Sequence, residues 1–130
     1  MSTLDVAIVT PRKAVWTGKA SSVTLPAWEG EMSVLPGHDQ RLVLLRGGVC
    51  RIDAEGGVQR FALGRGFAEI GAAGVTLLAE VAETAEQVDK AGAAKDLTEA
   101  EKAMVDTDPD SPSRMAAEEK AEMSRARLAI

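Results

Sequence analysis

The amino-acid sequence predicts an N-terminal β-sandwich, in the form of a flattened barrel, followed by an antiparallel two-helix hairpin. Short stretches of alternating apolar and polar residues recur through the first part of the chain, separated by turn residues. Alternation of period two puts one side of each strand into a core, and a repeat of about 8–12 residues is that of a sandwich or barrel. Of the 12 glycines, 11 lie in residues 1–83, and all four aromatic residues (Trp16, Trp28, Phe61 and Phe67) precede residue 68. The remainder is rich in Ala, Glu and Lys, which are strong helix formers. This break in composition divides the chain into a sandwich domain, 1–84, and a helical hairpin, 85–130.

The first strand is marked by Leu4, Val6 and Ile8 alternating with Asp5 and Ala7, and comparable runs follow at 21–25, 32–35, 42–45, 49–52, 58–63, 67–70 and 75–78. Gly47-Gly48, Gly56-Gly57 and the stretch from Gly71 to Gly74 are the expected reversals between them. Gly64-Arg65-Gly66 has the composition of a phosphate loop, but no helix start follows to supply aligned amides, so no phosphate site is expected there. The single cysteine, Cys50, falls in a strand as a small apolar residue and cannot form an intramolecular disulfide.

Thr84-Ala-Glu-Gln87 has the spacing of a capping box, which predicts a helix from there to about Val105 through Val88, Leu97, Ala100 and Met104. Gly92 inside it costs up to about 1 kcal/mol relative to alanine. Two prolines and local hydroxyl and carboxylate caps in residues 106–113 end this helix, and a second runs from about Pro112 or Ser113 to Leu128. So short a connection favours an antiparallel pair. Ala117, Ala121, Ser124 and Leu128 fall near one face of the second helix. That face permits close approach but buries little area at about 25 cal/mol per Å², so docking of the hairpin is expected to be marginal. A mobile hairpin and one fixed on the sandwich are both compatible with the sequence.

Composition excludes several functions. At 130 residues, 45% hydrophobic and 27% charged, the chain has the make-up of one globular domain. A net charge of -5 opposes binding to nucleic acid, which depends on phosphate neutralisation. The longest strongly apolar run, 42–45, is far short of the roughly 18 residues of a membrane span, and the opening residues carry no signal-segment pattern. His38 is the only histidine, and no nucleophile motif surrounds it, Cys50 or any serine. A metal site would have to combine His38 with Glu29, Glu31 and Asp39, without a recognisable ligand spacing. No catalytic residue, metal or cofactor is therefore assigned. A small sandwich metalloenzyme and a freestanding protein-interaction module are the rival readings.

Two stiff turns flank one short apolar segment: Leu25-Pro-Ala-Trp-Glu-Gly-Glu31 and Met32-Ser-Val-Leu-Pro-Gly-His38. Gly30 and Gly37 can take the positive φ of tight reversals and Pro26 and Pro36 fix φ ahead of them, so both turns project polar side chains outward. Together with Ile8-Val-Thr-Pro11, Val15-Trp-Thr-Gly18, Gly66-Phe-Ala-Glu-Ile70 and Val75-Thr-Leu-Leu-Ala-Glu80, these segments resemble the epsilon subunit of F-type ATP synthases over residues 3–84.

The resemblance implies a noncatalytic rotor subunit of a proton-translocating complex. In that family the sandwich packs on the gamma subunit and on the polar loops of the c-ring, and the hairpin can restrain ATP hydrolysis through the alpha and beta subunits. Membrane association then arises only through the complex, at the cytoplasmic face of the bacterial inner membrane or its organellar equivalent. The resemblance implies c-ring contacts at Glu29, Gly30, Glu31, Gly37 and His38. Where the family continues with Ala-Pro-Leu-Leu, this chain has Asp39-Gln-Arg-Leu42, which brings Asp39 and Arg41 into the same contact. Family members that bind ATP carry Ile/Leu-Asp-x-x-Arg-Ala; here Val88-Asp-Lys-Ala-Gly-Ala93 keeps Asp89 and Ala93 but has Gly92 at the arginine position. Without that fork-shaped guanidinium no nucleotide binding is expected. Arg114, Lys120, Arg125 and Arg127 are the implied candidates for an inhibitory contact, diluted by Glu118, Glu119 and Glu122.

Overall fold

The computed structural model describes residues 2–130. Among them nine strands precede two helices: β1 (Leu4–Val9), β2 (Ala14–Ala27), β3 (Gly30–Val34), β4 (Arg41–Leu45), β5 (Gly48–Ala54), β6 (Gly57–Leu63), β7 (Gly66–Ile70), β8 (Gly74–Ala79), β9 (Ala82–Glu83), α1 (Lys90–Asp106) and α2 (Pro112–Ala129). The predicted strands are all present, and the glycine-marked reversals fall where the sequence puts them.

The architecture hangs on β2, whose 14 residues serve two layers. Its first half pairs antiparallel with β1, from Val9↔Ala14 to Leu4↔Ala20. Its second half pairs with β3 on one side and β5 on the other. The change of partner coincides with a register shift between Ala20 and Ser22, a bulge that bends the strand. Beyond β1 the sheet continues through β8, β7 and β4, and the single pair Ala27↔Leu45 returns it to β2 and closes the flattened barrel. On the far side of β2, β5, β6 and β9 extend the second layer. The sequence signals only the second half of β2, because Thr17, Gly18 and Lys19 break the apolar alternation of the first.

Alternation delivers the core as predicted. The burial of β1 and β8 follows period two, and Leu4, Ile8, Leu25, Leu45, Ile52, Phe61, Leu63 and Leu77 are fully enclosed. Cys50 lies among them, its thiol pushed up to about 12 by burial.

Helix α1 begins at Lys90, not at residue 84. Thr84 and Gln87 do engage: the Thr84 amide donates to Gln87 Oε1 at 3.0 Å, and the Gln87 amide to the Thr84 carbonyl at 3.1 Å. These bonds close a turn that lets the chain leave the sheet edge after β9, which still pairs with β6 at Ala62↔Glu83. The cap is Asp89, whose Oδ1 accepts from the Gly92 amide at 3.0 Å. Gly92 therefore sits in the capped first turn and not in mid-helix. Helix α2 starts with Pro112 behind Ser111, whose Oγ accepts from the Arg114 amide at 3.1 Å, in agreement with the sequence. The helices run antiparallel: Arg114, near the start of α2, donates to the Met104 carbonyl near the end of α1, and Lys120 Nζ lies 3.2 Å from Glu99 further back. Buried Ala93, Ala100, Ala117 and Ala121 keep the hairpin closely packed.

Candidate functional site

The sequence-predicted contact residues lie on two connections. Trp28 and Glu29 turn the chain between β2 and β3, with Gly30 at φ +127°, and Gly37 takes φ +87° in the next reversal. Both values favour glycine, as predicted. Pro26 is different. It is a buried strand residue opposite Glu31, and its carbonyl accepts from the Arg46 amide at 2.9 Å. The second reversal is tethered elsewhere: the Gly37 amide donates to the Ala72 carbonyl at 2.9 Å, and His38 Nδ1 lies 2.8 Å from the Asp39 carbonyl.

Glu29, Gly30, Glu31 and Arg41 line one open groove of about 510 Å³, with Trp28, Leu42 and Leu44 alongside. Gly37, His38 and Asp39 stand outside it. No three His, Cys, Asp or Glu side chains among the described residues converge as metal ligands, so His38, Glu29, Glu31 and Asp39 do not assemble into a site.

Beside the groove lies a feature that the sequence reading does not identify. Leu44 pairs with Phe67, Phe67 with Leu78, and Leu78 with Val9, so these four side chains stand abreast across β4, β7, β8 and β1. Leu44 is 62% exposed and Phe67 38%, and Leu42, two residues along β4 on the same face, is 65% exposed. Apolar side chains grouped in this way, not scattered singly, are the surface character of protein-docking faces. Strand periodicity shows which residues share a face, but not that this outer face is uncovered by the rest of the chain.

The hairpin docks on the other layer. Met123 and Ala126 of α2 pack on Ala62 of β6, with Val49, Val81 and Ile130 around them. At its centre is Glu122, 8% exposed. Its Oε1 accepts from the Gly47 amide at 2.9 Å and from Arg65 Nε at 3.1 Å, and its Oε2 accepts from Arg65 Nη2 at 2.6 Å. Arg46 Nη2 approaches the same oxygen at 3.5 Å. Burial alone would raise the carboxyl pKa, but the Arg65 and Gly47 hydrogen bonds and the charges of Arg65 and Arg46 together hold it below the ordinary value. Gly47 permits this approach: a Cβ there would lie 2.8 Å from Glu122 Cβ. Glu122, counted from the sequence among acids that dilute a basic face, is a buried ionic clasp. Nothing in the linear pattern separates it from Glu118 and Glu119.

The basic candidates of α2 are mostly engaged within the chain. Arg114 pairs with Glu118 at 3.0 Å, Lys120 with Glu99 at 3.2 Å, and Arg127 Nε with Glu83 Oε1 at 2.6 Å. Arg125 is exposed, without an ion pair among the described residues. Asp89, matched from the sequence to a nucleotide motif, is the α1 cap, and Ala93 is buried in the hairpin.

Comparison with known proteins agrees with this arrangement. A profile described as "ATP synthase, Delta/Epsilon chain, beta-sandwich domain" matches residues 3–85. The ATP synthase epsilon chain of Synechococcus sp. (strain JA-2-3B'a(2-13)) is 39% identical over 128 residues, 98% of this chain and 91% of that one. That of Synechococcus sp. (strain WH7803) is 35% identical over 127 residues, 96% of this chain and 93% of the other. A chain in the cryo-EM structure of the Euglena gracilis mitochondrial ATP synthase (OSCP/F1/c-ring, rotational state 1) superposes with a TM-score of 0.83 at 24% identity, covering 99% of this chain and 81% of that one. The sandwich and hairpin thus recur together in one fold, and on sequence this chain belongs to the ATP synthase epsilon chain family.

Proposed function

We propose that this chain is the noncatalytic central-stalk subunit of a proton-translocating F-type ATP synthase, linking the gamma subunit to the c-ring. In a member of this family, the observation that carries the reading is the outward apolar row Leu44, Phe67, Leu78 and Val9, exposed at Leu44 and Phe67 and half-buried at Leu78 and Val9, with exposed Leu42 beside it. A row four strands wide is a protein-docking surface, and gamma is the partner assigned to it. The adjoining polar tip, Glu29, Gly30 and Glu31 with Arg41, is assigned to the loops of the c-ring, and Gly37, His38 and Asp39 extend that contact. The mechanism is mechanical. The chain makes no bond; a densely packed sandwich of low compressibility passes torque between two partners.

The sandwich, 1–84, then serves as the assembly module and the hairpin, 85–130, as the regulatory element. In the docked hairpin Arg127 is tied to Glu83 of β9 and is freed only when the hairpin leaves the sandwich, whereas Arg114 and Lys120 pair within the hairpin itself, so an inhibitory contact through them also requires α1 and α2 to separate. The complex sits peripherally on the cytoplasmic face of a bacterial inner membrane.

The test is co-purification with gamma and the c-ring. Leu44→Asp with Phe67→Asp is expected to weaken gamma capture at least about 30-fold, since two anchors in a docking surface contribute 2 kcal/mol or more. Circular dichroism should be retained and thermal melting lowered only modestly, because both side chains lie on the outer face of the sheet, Leu44 largely exposed and Phe67 partly covered. Undiminished gamma capture by this variant would reject the assignment.

A further inference from the structure

Trp28 turns at the β2–β3 tip and is 43% exposed, outside both hydrophobic clusters. Its neighbours are cations. The guanidinium carbons of Arg46, at the end of β4, and of Arg65, between β6 and β7, lie 5.2 and 5.0 Å from its ring centroid. The same two guanidinium groups hold Glu122 of α2, Arg65 through two hydrogen bonds and Arg46 at 3.5 Å. A guanidinium can serve both partners at once, because stacking uses its planar face and hydrogen bonding its rim. The indole and the carboxylate therefore share one pair of arginines, although they belong to the tip and to the hairpin.

We infer that Trp28, Arg46 and Arg65 form a relay through which engagement of the β2–β3 tip sets the strength of α2 docking. Each arginine is oriented by the indole in the pose that meets Glu122. A partner that draws the ring away from the guanidinium groups removes that orientation and weakens the clasp. By thermodynamic reciprocity, release of α2 frees both arginines and loosens Trp28 by the same factor. The two-state element is the docked or released hairpin. On the rotor reading above, the ring-facing tip thereby reports to the regulatory element. The coupling itself is a property of the free chain and is measured without a partner, so its failure is distinct from loss of gamma or c-ring association.

The experiment uses the full-length chain carrying Trp16→Phe, so that Trp28 is the only indole. Hydrogen exchange of α2 amides is followed in this parent, in Trp28→Ala, in Trp28→Phe, in Glu122→Gln and in the Trp28→Ala, Glu122→Gln double variant, with β1 and β8 amides as the fold control. Trp28→Ala is expected to speed α2 exchange about two- to fivefold, the range set by exposed cation–π contacts, with Trp28→Phe in between and the control strands unchanged. The double variant should exchange no faster than Glu122→Gln alone, and Glu122→Gln should red-shift Trp28 emission and increase its quenching. Additive effects in the double variant, unchanged emission in Glu122→Gln, or parental α2 exchange in Trp28→Ala would each overturn the relay. If Glu122→Gln releases the hairpin outright, the comparison of parent, Trp28→Phe and Trp28→Ala decides alone.

Discussion

Glu122 is a buried carboxylate that stays ionised because a backbone amide and two guanidinium groups replace its water. Its folded-state pKa lies below the ordinary value of 4.5. The stability it contributes to docking is therefore complete above that value and is lost as pH falls through the depressed folded-state one. Exchange of the α2 amides, corrected for intrinsic rate, should be flat from neutral pH down to about 5 and then accelerate, while the β1 and β8 amides stay protected. Glu122→Gln should show fast exchange without this acid step, at a cost in docking of about 1.5–3 kcal/mol, the range for hydrogen bonds to charged groups. An acid step that persists in Glu122→Gln would assign the effect to another carboxylate. Residue-scale legibility was uneven for a physical reason. Cys50 was placed correctly in a strand interior because small apolar residues partition there whatever their partners. Glu122 was not, because its burial depends on Gly47 and Arg65, which are remote in sequence.

Among the elements, period-two alternation was enough to locate the core strands, and Pro112 behind Ser111 fixed the start of α2. The first half of β2 was missed because its pairing with β1 stabilises a segment whose own pattern is weak. The parallel pair of β1 and β8 has no local signature at all, since it joins segments from opposite ends of the sandwich. The start of α1 was displaced because β9 holds residues 82–83 at the sheet edge and Asp89 supplies a better-placed cap. Helix α2 packs on β5 and β6, whereas the apolar row lies on β4, β7, β8 and β1. A chain ending at Glu86 is therefore expected to fold, retain β9 and capture gamma, while restraint on ATP hydrolysis by the assembled complex is relieved. Loss of gamma capture on this truncation would make the hairpin structural.

For the whole molecule, the sandwich-then-hairpin fold class was legible because composition changes near residue 84, and the family resemblance because the turn segments between residues 8 and 80 keep their order. The exposed apolar face was not, because exposure of an apolar strand face depends on where every other element packs. The proposed polar contact with the c-ring carries its own prediction. Glu31 and Asp39 are exposed, Glu31 near the start of β3 and Asp39 in the connection that follows the end of that strand. Exposed pairs are worth about 0–1 kcal/mol, so Glu31→Gln should weaken coupling only slightly. Reversal of both acids to lysine should be much worse through like-charge repulsion, and more so at low salt. ATP-driven proton pumping set against hydrolysis in reconstituted vesicles measures this; full pumping by the double reversal would turn these residues toward solvent. The same tip shows what the long strand accomplishes. β2 is continuous from Trp28's neighbour Ala27 to Ala14, a contour of about 43 Å at roughly 3.3 Å per residue, bent at the bulge between Ala20 and Ser22. A displacement of the tip is therefore passed round the bend by one covalent chain, so that the ladders to β3 and β5 in one layer and the ladder to β1 in the other share it.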